Sequence, residues 1–273
     1  MARGHHGAQW ILIVILSLVS AMGLFPYIFM ISTSLKSSAQ FYHHYFGFVW
    51  PLDWSNYAFA WRAVNVYFGN TIYVAAVSIA GILLLSSVSA YVFAKHRFPA
   101  KDILFTSVIV LLLIPGITTI VPLFVLILHF GLVNTRWALI IPYIAGGQVL
   151  GIFLMRNFIE NLPEELFDTA KMDGANSLQV YWKIVLPLSR PILGTVAMLN
   201  LIGIWNDYVW PNVVLNNNNL KTISVGLAFF QGQYVTQWGY LFAGYVIASI
   251  PLVVLFLFLM RYFVSGLTAG AIR

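Results

Sequence analysis

Asn161 to Pro191 reads NLPEELFDTAKMDGANSLQVYWKIVLPLSRP, a polar interval in an otherwise apolar chain. Four of the chain's eight acids, Glu164, Glu165, Asp168 and Asp173, fall inside it. Hydrophobic runs flank it, so it is predicted to be a loop presented at a membrane surface. Pro163 suits a first helical turn, and Glu164 and Glu165 suit the positive end of a helix dipole. A short helix from there through about Met172 is predicted to stop at Gly174, a residue that readily takes the left-handed cap. Ser177 is placed to cap a second helix running through Tyr181 and Lys183 and ending before Pro187. Two short helices meeting at Asp173–Gly174 make an elbow. Leu166, Phe167 and Ala170 give it an apolar face, and the small Ala170 lets a partner surface approach closely. A rigid projection of this kind can carry a partner's motion into the spans on either side. Taken singly, the charged residues here read better as solvated.

Composition places the rest of the chain around this loop. Of 273 residues, 60% are hydrophobic and 8% charged, where a soluble domain carries about 25% charged residues. The chain reads as an all-α, polytopic membrane protein. It has no cysteine, which excludes disulfides and thiolate metal sites. The six histidines, His5-His6, His43-His44, His96 and His129, lack carboxylates spaced to join them in a metal site. The +6 charge is spread thinly between apolar spans, which argues against nucleic acid and for membrane topology.

A crossing helix needs about 20 apolar residues. Candidate spans cover about 10–31, 67–94, 102–129, 137–159, 191–211 and 240–264, in a single domain over 1–273. Arg3 before the first run is compatible with a signal peptide, but the run is longer than a usual signal core. With the N-terminus inside, Arg3, Lys95, Arg97, Lys101, Arg156, Lys171, Lys183, Arg190, Arg261 and Arg273 lie inside. Lys36, Arg62, Arg136 and Lys221 lie outside. The inner excess predicts both termini in the cytoplasm, with 160–190 as a cytoplasmic loop. Trp and Tyr crowd the outer segments, as interfacial anchors do. Residues 36–66 are expected to hold short amphipathic pieces lying on the membrane. Residues 212–239 carry Asn216-Asn217-Asn218-Asn219, a turn-prone tip for which several conformations cost little. Pro115-Gly116 and Pro122 are expected to break or kink the third span.

The order Asp168-Thr169-Ala170, three residues, Gly174, nine residues, Ile184, one residue, Leu186-Pro187 resembles the cytoplasmic loop of the membrane subunits of ABC importers. That family's pattern is Glu-Ala-Ala, three, Gly, nine, Ile, one, Leu-Pro. Ser34-Leu35-Lys36, the run Trp205-Asn206-Asp207-Tyr208-Val209-Trp210 and the ending Gly266 to Arg273 resemble the carbohydrate-uptake branch. More narrowly, they resemble the shorter permease of maltose-type and multiple-sugar importers. The likeness covers almost the whole chain. Asp168 stands where the family has Glu and Thr169 where it has Ala; the shorter acid keeps the charge but alters reach.

The resemblance implies a type I ABC importer transmembrane domain. It implies a second, non-identical permease, two ATPase subunits and an extracytoplasmic sugar-binding protein, in the cytoplasmic membrane of a prokaryote. A homodimeric permease stays open as an alternative. The resemblance places Asp168, Ala170, Lys171, Met172, Asp173 and Gly174 against a groove on the ATPase. It lets Asn216, Asn217, Asn218 and Asn219 reach the binding protein, and the C-terminal tail reach toward the ATPase pair. The imported solute is expected to be a di- or oligosaccharide, with a glycerol-phosphate-type polyol as the nearest alternative.

Chemistry is absent elsewhere. The chain has no Gly-x-x-x-x-Gly-Lys-Ser/Thr loop, so it should not hydrolyse ATP; ATP and Mg belong on the partner ATPase, and no cofactor is expected in this chain. An ion-coupled secondary transporter would need ionisable groups at mid-membrane, and the span centres hold none. A membrane-embedded enzyme would need an acid/base pair facing a pocket, and none can be argued. Sugars call for planar hydrogen-bonding groups and aromatic faces. Span five offers Asn200, Trp205, Asn206 and Asp207 as substrate-path candidates. Asn200, a mid-span amide, is expected to turn inward. Asn200 and Asn206 lie roughly 9 Å apart along a helix but about 120° apart around it, so they need not line one surface. Asn200 can equally bond a neighbouring helix.

Overall fold

Residues 5–233 and 237–269 are described by the structure, a computed structural model, and all regular elements among them are helical. In chain order they are α1 (His5–Ser34), α2 (Ser38–His43), α3 (Ser55–Lys95), α4 (Lys101–Leu111), α5 (Gly116–His129), α6 (Trp137–Glu160) and α7 (Glu164–Met172). There follow α8 (Ser177–Val180), α9 (Leu186–Leu188), α10 (Arg190–Asn206), α11 (Val209–Val214), α12 (Ile223–Gln233) and α13 (Trp238–Ala269). A π-helical turn, Tyr181–Val185, joins α8 to α9, and a 3-10 turn, Asn218–Leu220, precedes α12. Residues 270–273 of the C-terminal tail lie outside the described residues.

Among the described residues, four stretches are long and apolar enough to cross a membrane: Gln9–Ser34, Ser55–Lys95, Trp137–Glu160 and Trp238–Phe258. Two bent pairs raise the number to as many as six. One is α4 with α5, bent by 100°. Its cause is local. Leu112, Leu113 and Ile114 close α4 with tight bonds to Ile109, Val110 and Leu111, and Pro115 stands extended at ψ 125° with no N–H to offer. The break falls at Pro115 alone, and Pro122 sits inside α5. The second pair, Ser177–Leu188 and Arg190–Asn206, is bent by 72°. α3 begins at Ser55 instead of near residue 67. Asp53 sets that start, its carboxylate accepting from the Ser55 amide at 3.1 Å.

The chain divides into two compact units, 1–65 with 227–250 and 66–226 with 251–273. In the first unit, Ser34-Leu35-Lys36 is buried throughout. Lys36 Nζ donates to the carbonyls of His44 (2.8 Å) and Tyr45 (3.0 Å). Asn56 Nδ2 donates to the carbonyls of Ser34 and Lys36, both at 2.9 Å. Burial pulls the Lys36 ammonium below the ordinary lysine value. These bonds fold residues 36–56 back on themselves, with α2 as the single helical piece before α3. The second unit is built on α6. α10, α4 and α11 pack against α6, and α3 approaches it where glycine leaves room: a Cβ at Gly151 would stand 2.8 Å from Ser86 Cβ.

Candidate functional site

The elbow begins at Glu160, where α6 ends, and turns through Pro163 into α7. Glu164 and Glu165 occupy the first turn of α7 and Lys171 the last, each favourable to the helix dipole. α7 closes with a Schellman motif. The Ala175 amide donates to the Ala170 carbonyl at 2.9 Å and the Gly174 amide to the Lys171 carbonyl at 3.0 Å. Gly174 takes φ +73°, and a Cβ there would meet nothing within 4 Å. The glycine is required by backbone conformation alone.

The second helix starts one residue earlier than the sequence pattern indicates. Asn176, not Ser177, is its cap: Asn176 Oδ1 accepts from the Gln179 amide and Gln179 Oε1 accepts from the Asn176 amide, both at 2.9 Å. The two exchanges form a capping box, which Ser177 could not complete without a Glu or Gln three residues on. Nor does the helix end before Pro187. The π turn at Tyr181–Val185 widens the ring so that the Leu186 amide reaches the Tyr181 carbonyl, and Pro187 passes inside α9. The chain turns only at Ser189.

The elbow has two faces. Phe167 and Ala170 are buried in a cluster with Tyr91, Val180, Tyr181 and Val185. Ala170 thus packs the elbow onto its own base, in place of the expected outward face; its small side chain permits that close seat. Leu166 is 40% exposed. Asp168, Lys171, Met172, Asp173 and Gly174 all lie on the exposed face, Met172 at 89%. Asp168 and Lys171 pair at 3.2 Å, but both are about two-thirds exposed or more, so the pair is worth little and leaves Asp168 available.

α3 holds the elbow at both ends. At its entrance, Lys95 Nζ donates to Glu164 Oε1 at 2.7 Å and to the Leu162 carbonyl at 3.3 Å, and lies 4.3 Å from the centre of the Phe167 ring. At its exit, the hydroxyls of Ser87 and Tyr181 bond at 2.7 Å within the buried interior. Sequence reasoning missed Lys95, Ser87 and Tyr181. Their contacts join residues 67 to 94 positions apart, and nothing in the local pattern announces them.

The four substrate-path candidates fall into separate settings. Asn200, half-buried, donates to its own helix at Val196 O (2.9 Å), and its Oδ1 sits where a Cβ on Gly147 of α6 would collide with it. Trp205 is buried, edge-on to Phe68, and its carbonyl accepts from Ser224 Oγ. Asp207 accepts from the Tyr143 hydroxyl at 2.8 Å and from the Trp210 amide at 3.2 Å, joining α10, α11 and α6. Asn206 is exposed and bonds back to Ile202 O. Of the four, Asn206 alone is exposed.

The asparagine loop is fixed, where the sequence reading allowed several conformations. Asn134, at φ 62°, accepts from the amides of Asn216 (3.1 Å) and Asn217 (2.8 Å). Asn217 Oδ1 accepts from the Asn219 amide at 3.0 Å. Asn70 donates to the carbonyls of Asn219 (2.7 Å) and Lys221 (3.1 Å), and is itself held by Arg136 Nη2 at 2.9 Å. The side chains of Asn216 to Asn219 are exposed.

Residues 82–269 match the family described as binding-protein-dependent transport system inner membrane component. That stretch contains the elbow, the end of α3 that holds it and the asparagine loop. The chain is 32% identical over 271 residues to the arabinooligosaccharides transport system permease protein AraQ of Halalkalibacterium halodurans, covering 97% of this chain and 96% of that one. It is 30% identical over 268 residues to the melibiose/raffinose/stachyose import permease protein MelC of Bacillus subtilis, covering 96% of this chain and 96% of that one. Among solved structures, a chain of a bacterial ABC transporter involved in the import of the acidic polysaccharide alginate superposes with a TM-score of 0.82 at 24% identity, covering 96% of this chain and 99% of that one. The chain is therefore a multi-pass membrane protein with the type I transmembrane fold of ABC importer permeases. It belongs to the binding-protein-dependent transport system inner membrane component family.

Proposed function

We propose that this chain forms half of the pathway of an ATP-driven importer that carries a di- or oligosaccharide across the cytoplasmic membrane. The observation that carries this reading is the elbow, a rigid helix–turn–helix whose base is buried on α3 and whose tip exposes Asp168, Met172 and Asp173. Such a projection is built to be pushed. The energy comes from a separate ATPase, on which ATP and Mg reside, through contacts with Asp168, Lys171, Met172, Asp173 and Gly174. Ala170 acts from beneath by seating the helix.

A second permease, non-identical, completes the pathway, and two ATPase subunits lie beneath the pair. Both termini and the elbow are cytoplasmic, which the inner excess of Lys and Arg supports. The asparagine loop then faces outward, where its exposed amides meet a sugar-binding protein or its cargo. The sugar assignment draws on the oligosaccharides in the names of both relatives. Within the chain, exposed Asn206 and Tyr208 at the end of α10 supply an amide and an aromatic face. Calorimetry of the cognate binding protein against a sugar panel tests the substrate class, and a di- or oligosaccharide should bind most tightly. Tight binding of an amino acid or peptide, with no carbohydrate bound, would overturn the sugar assignment and leave the importer standing.

A further inference from the structure

The grip of α3 on the elbow goes beyond any motif in the loop. Lys95 is the last residue of α3. Its side chain is only 8% exposed, whereas that of its partner Glu164 is 69% exposed. An ion pair with one carboxylate in water is weak on its own. Here the ammonium has three partners at once: Glu164, the Leu162 carbonyl and the face of Phe167. The carbonyl lies just before α7, the carboxylate in its first turn, and the ring on the buried side of the same helix. One cation therefore holds the linker, the helix start and the helix underside together. A desolvated cation over an aromatic face is worth more than an exposed one, and the buried stem adds packing. The Ser87–Tyr181 bond makes a second attachment, eight residues back along α3, or roughly 12 Å. The elbow cannot shift relative to α3 without breaking one of the two.

We propose that Lys95 is a positioning residue for transport: it converts displacement of the elbow by the ATPase into displacement of α3. The inference rests on the reading of the elbow as the ATPase-docking element. Lys95, 8% exposed, lies under the base of the elbow and not at its exposed tip. Without its charge, α7 still docks but slides on the end of α3, and hydrolysis runs without productive movement of the pathway.

The test uses the whole complex, with both permeases, the ATPase and the binding protein, in proteoliposomes. Lys95→Met keeps the stem and removes the charge. It should leave binding-protein-stimulated ATP hydrolysis within about twofold of wild type and lower solute transported per ATP by about five- to tenfold, while Lys95→Arg restores the ratio. These are order-of-magnitude expectations for the loss of a charge-assisted hydrogen bond at the entrance of the elbow. A purely structural role would lower complex yield, hydrolysis and transport together and leave their ratio unchanged. An unchanged ratio in Lys95→Met would overturn the proposal. Crosslinking of Thr169→Cys, exposed beside Asp168, to the ATPase in the otherwise unaltered complex separates the two readings. No crosslink counts against elbow docking itself, whereas a crosslink together with an unchanged Lys95→Met ratio counts against the Lys95 grip alone.

Discussion

The elbow and the asparagine loop are both polar segments set among apolar helices, yet they are held in opposite ways. The elbow is held by its side chains. Phe167, Ala170, Val180 and Tyr181 are buried beneath it, and Lys95 and Ser87 reach across from α3. The asparagine loop is held by its main chain. Asn134 accepts two of its amides and Asn70 donates to two carbonyls at its far end. A segment gripped by its side chains moves as a body with whatever grips it, which suits the transmission of force. A segment gripped by its backbone keeps its shape and leaves its side chains facing solvent, which suits recognition.

The largest effect should come from breaking the elbow at its turn. Gly174→Val forces a β-branched residue into φ +73°, a conformation that costs an L-residue about 1–2 kcal/mol and a β-branched one more. The α7 cap should open, and ATP-driven uptake should fall by about tenfold or more. Gly174→Asn, which tolerates the left-handed region better, should retain most activity. Equal uptake in all three proteins would remove the Schellman turn from the account.

Asn70→Ala should come next, and on the other region only. It strips a buried amide from Arg136 and from two loop carbonyls, at about 1–3 kcal/mol. Hydrogen exchange in residues 216–221 should speed up by about tenfold or more while exchange in α7 stays constant. Faster exchange in both places would show that the two regions are not held independently. Asn134→Gly should have a smaller effect. It keeps the positive φ but deletes the acceptor of two exposed amides, so exchange at Asn216 and Asn217 should rise only a few-fold.

The smallest effect is expected from trimming side chains without touching the loop's frame. Asn216→Ala, Asn218→Ala and Asn219→Ala together spare Asn217, which accepts from the Asn219 amide. Uptake at limiting sugar should fall a few-fold and be unchanged at saturation. Equal uptake at both concentrations would leave the loop with no part in delivery.

What was legible in the sequence was local. Gly174 announced its own left-handed turn, Pro163 and the two glutamates announced the start of α7, and Pro115-Gly116 announced a break. Each is a rule about a few consecutive residues. The cap at Asn176 was also local, but the capping box needs Gln179 counted as well as the serine beside it. The passage of Pro187 through a helix was hidden because a π turn upstream supplies the freedom that an α-helix would deny. The attachments were out of reach altogether. Lys95 meets Glu164 and Asn70 meets Asn219 across 69 and 149 positions. A single lysine at a helix end, or one asparagine near another, reads as interfacial or solvated until the fold places its partner. Ala170 lies on the side of α7 that its own chain covers, and a nine-residue amphipathic helix does not say in advance which side that will be.

The central claim is that the elbow is where a separate ATPase takes hold. It is tested most directly by Gly174→Asp in the intact permease pair, with ATPase recovered by copurification and uptake measured in the same preparation. Asp, like Asn, tolerates the left-handed region, so the substitution acts chiefly by placing a negative charge at the exposed tip, where an added Cβ meets nothing within 4 Å. The account predicts a permease that still inserts and pairs but recovers several-fold less ATPase and transports correspondingly less. Wild-type levels of both recruitment and uptake would contradict it.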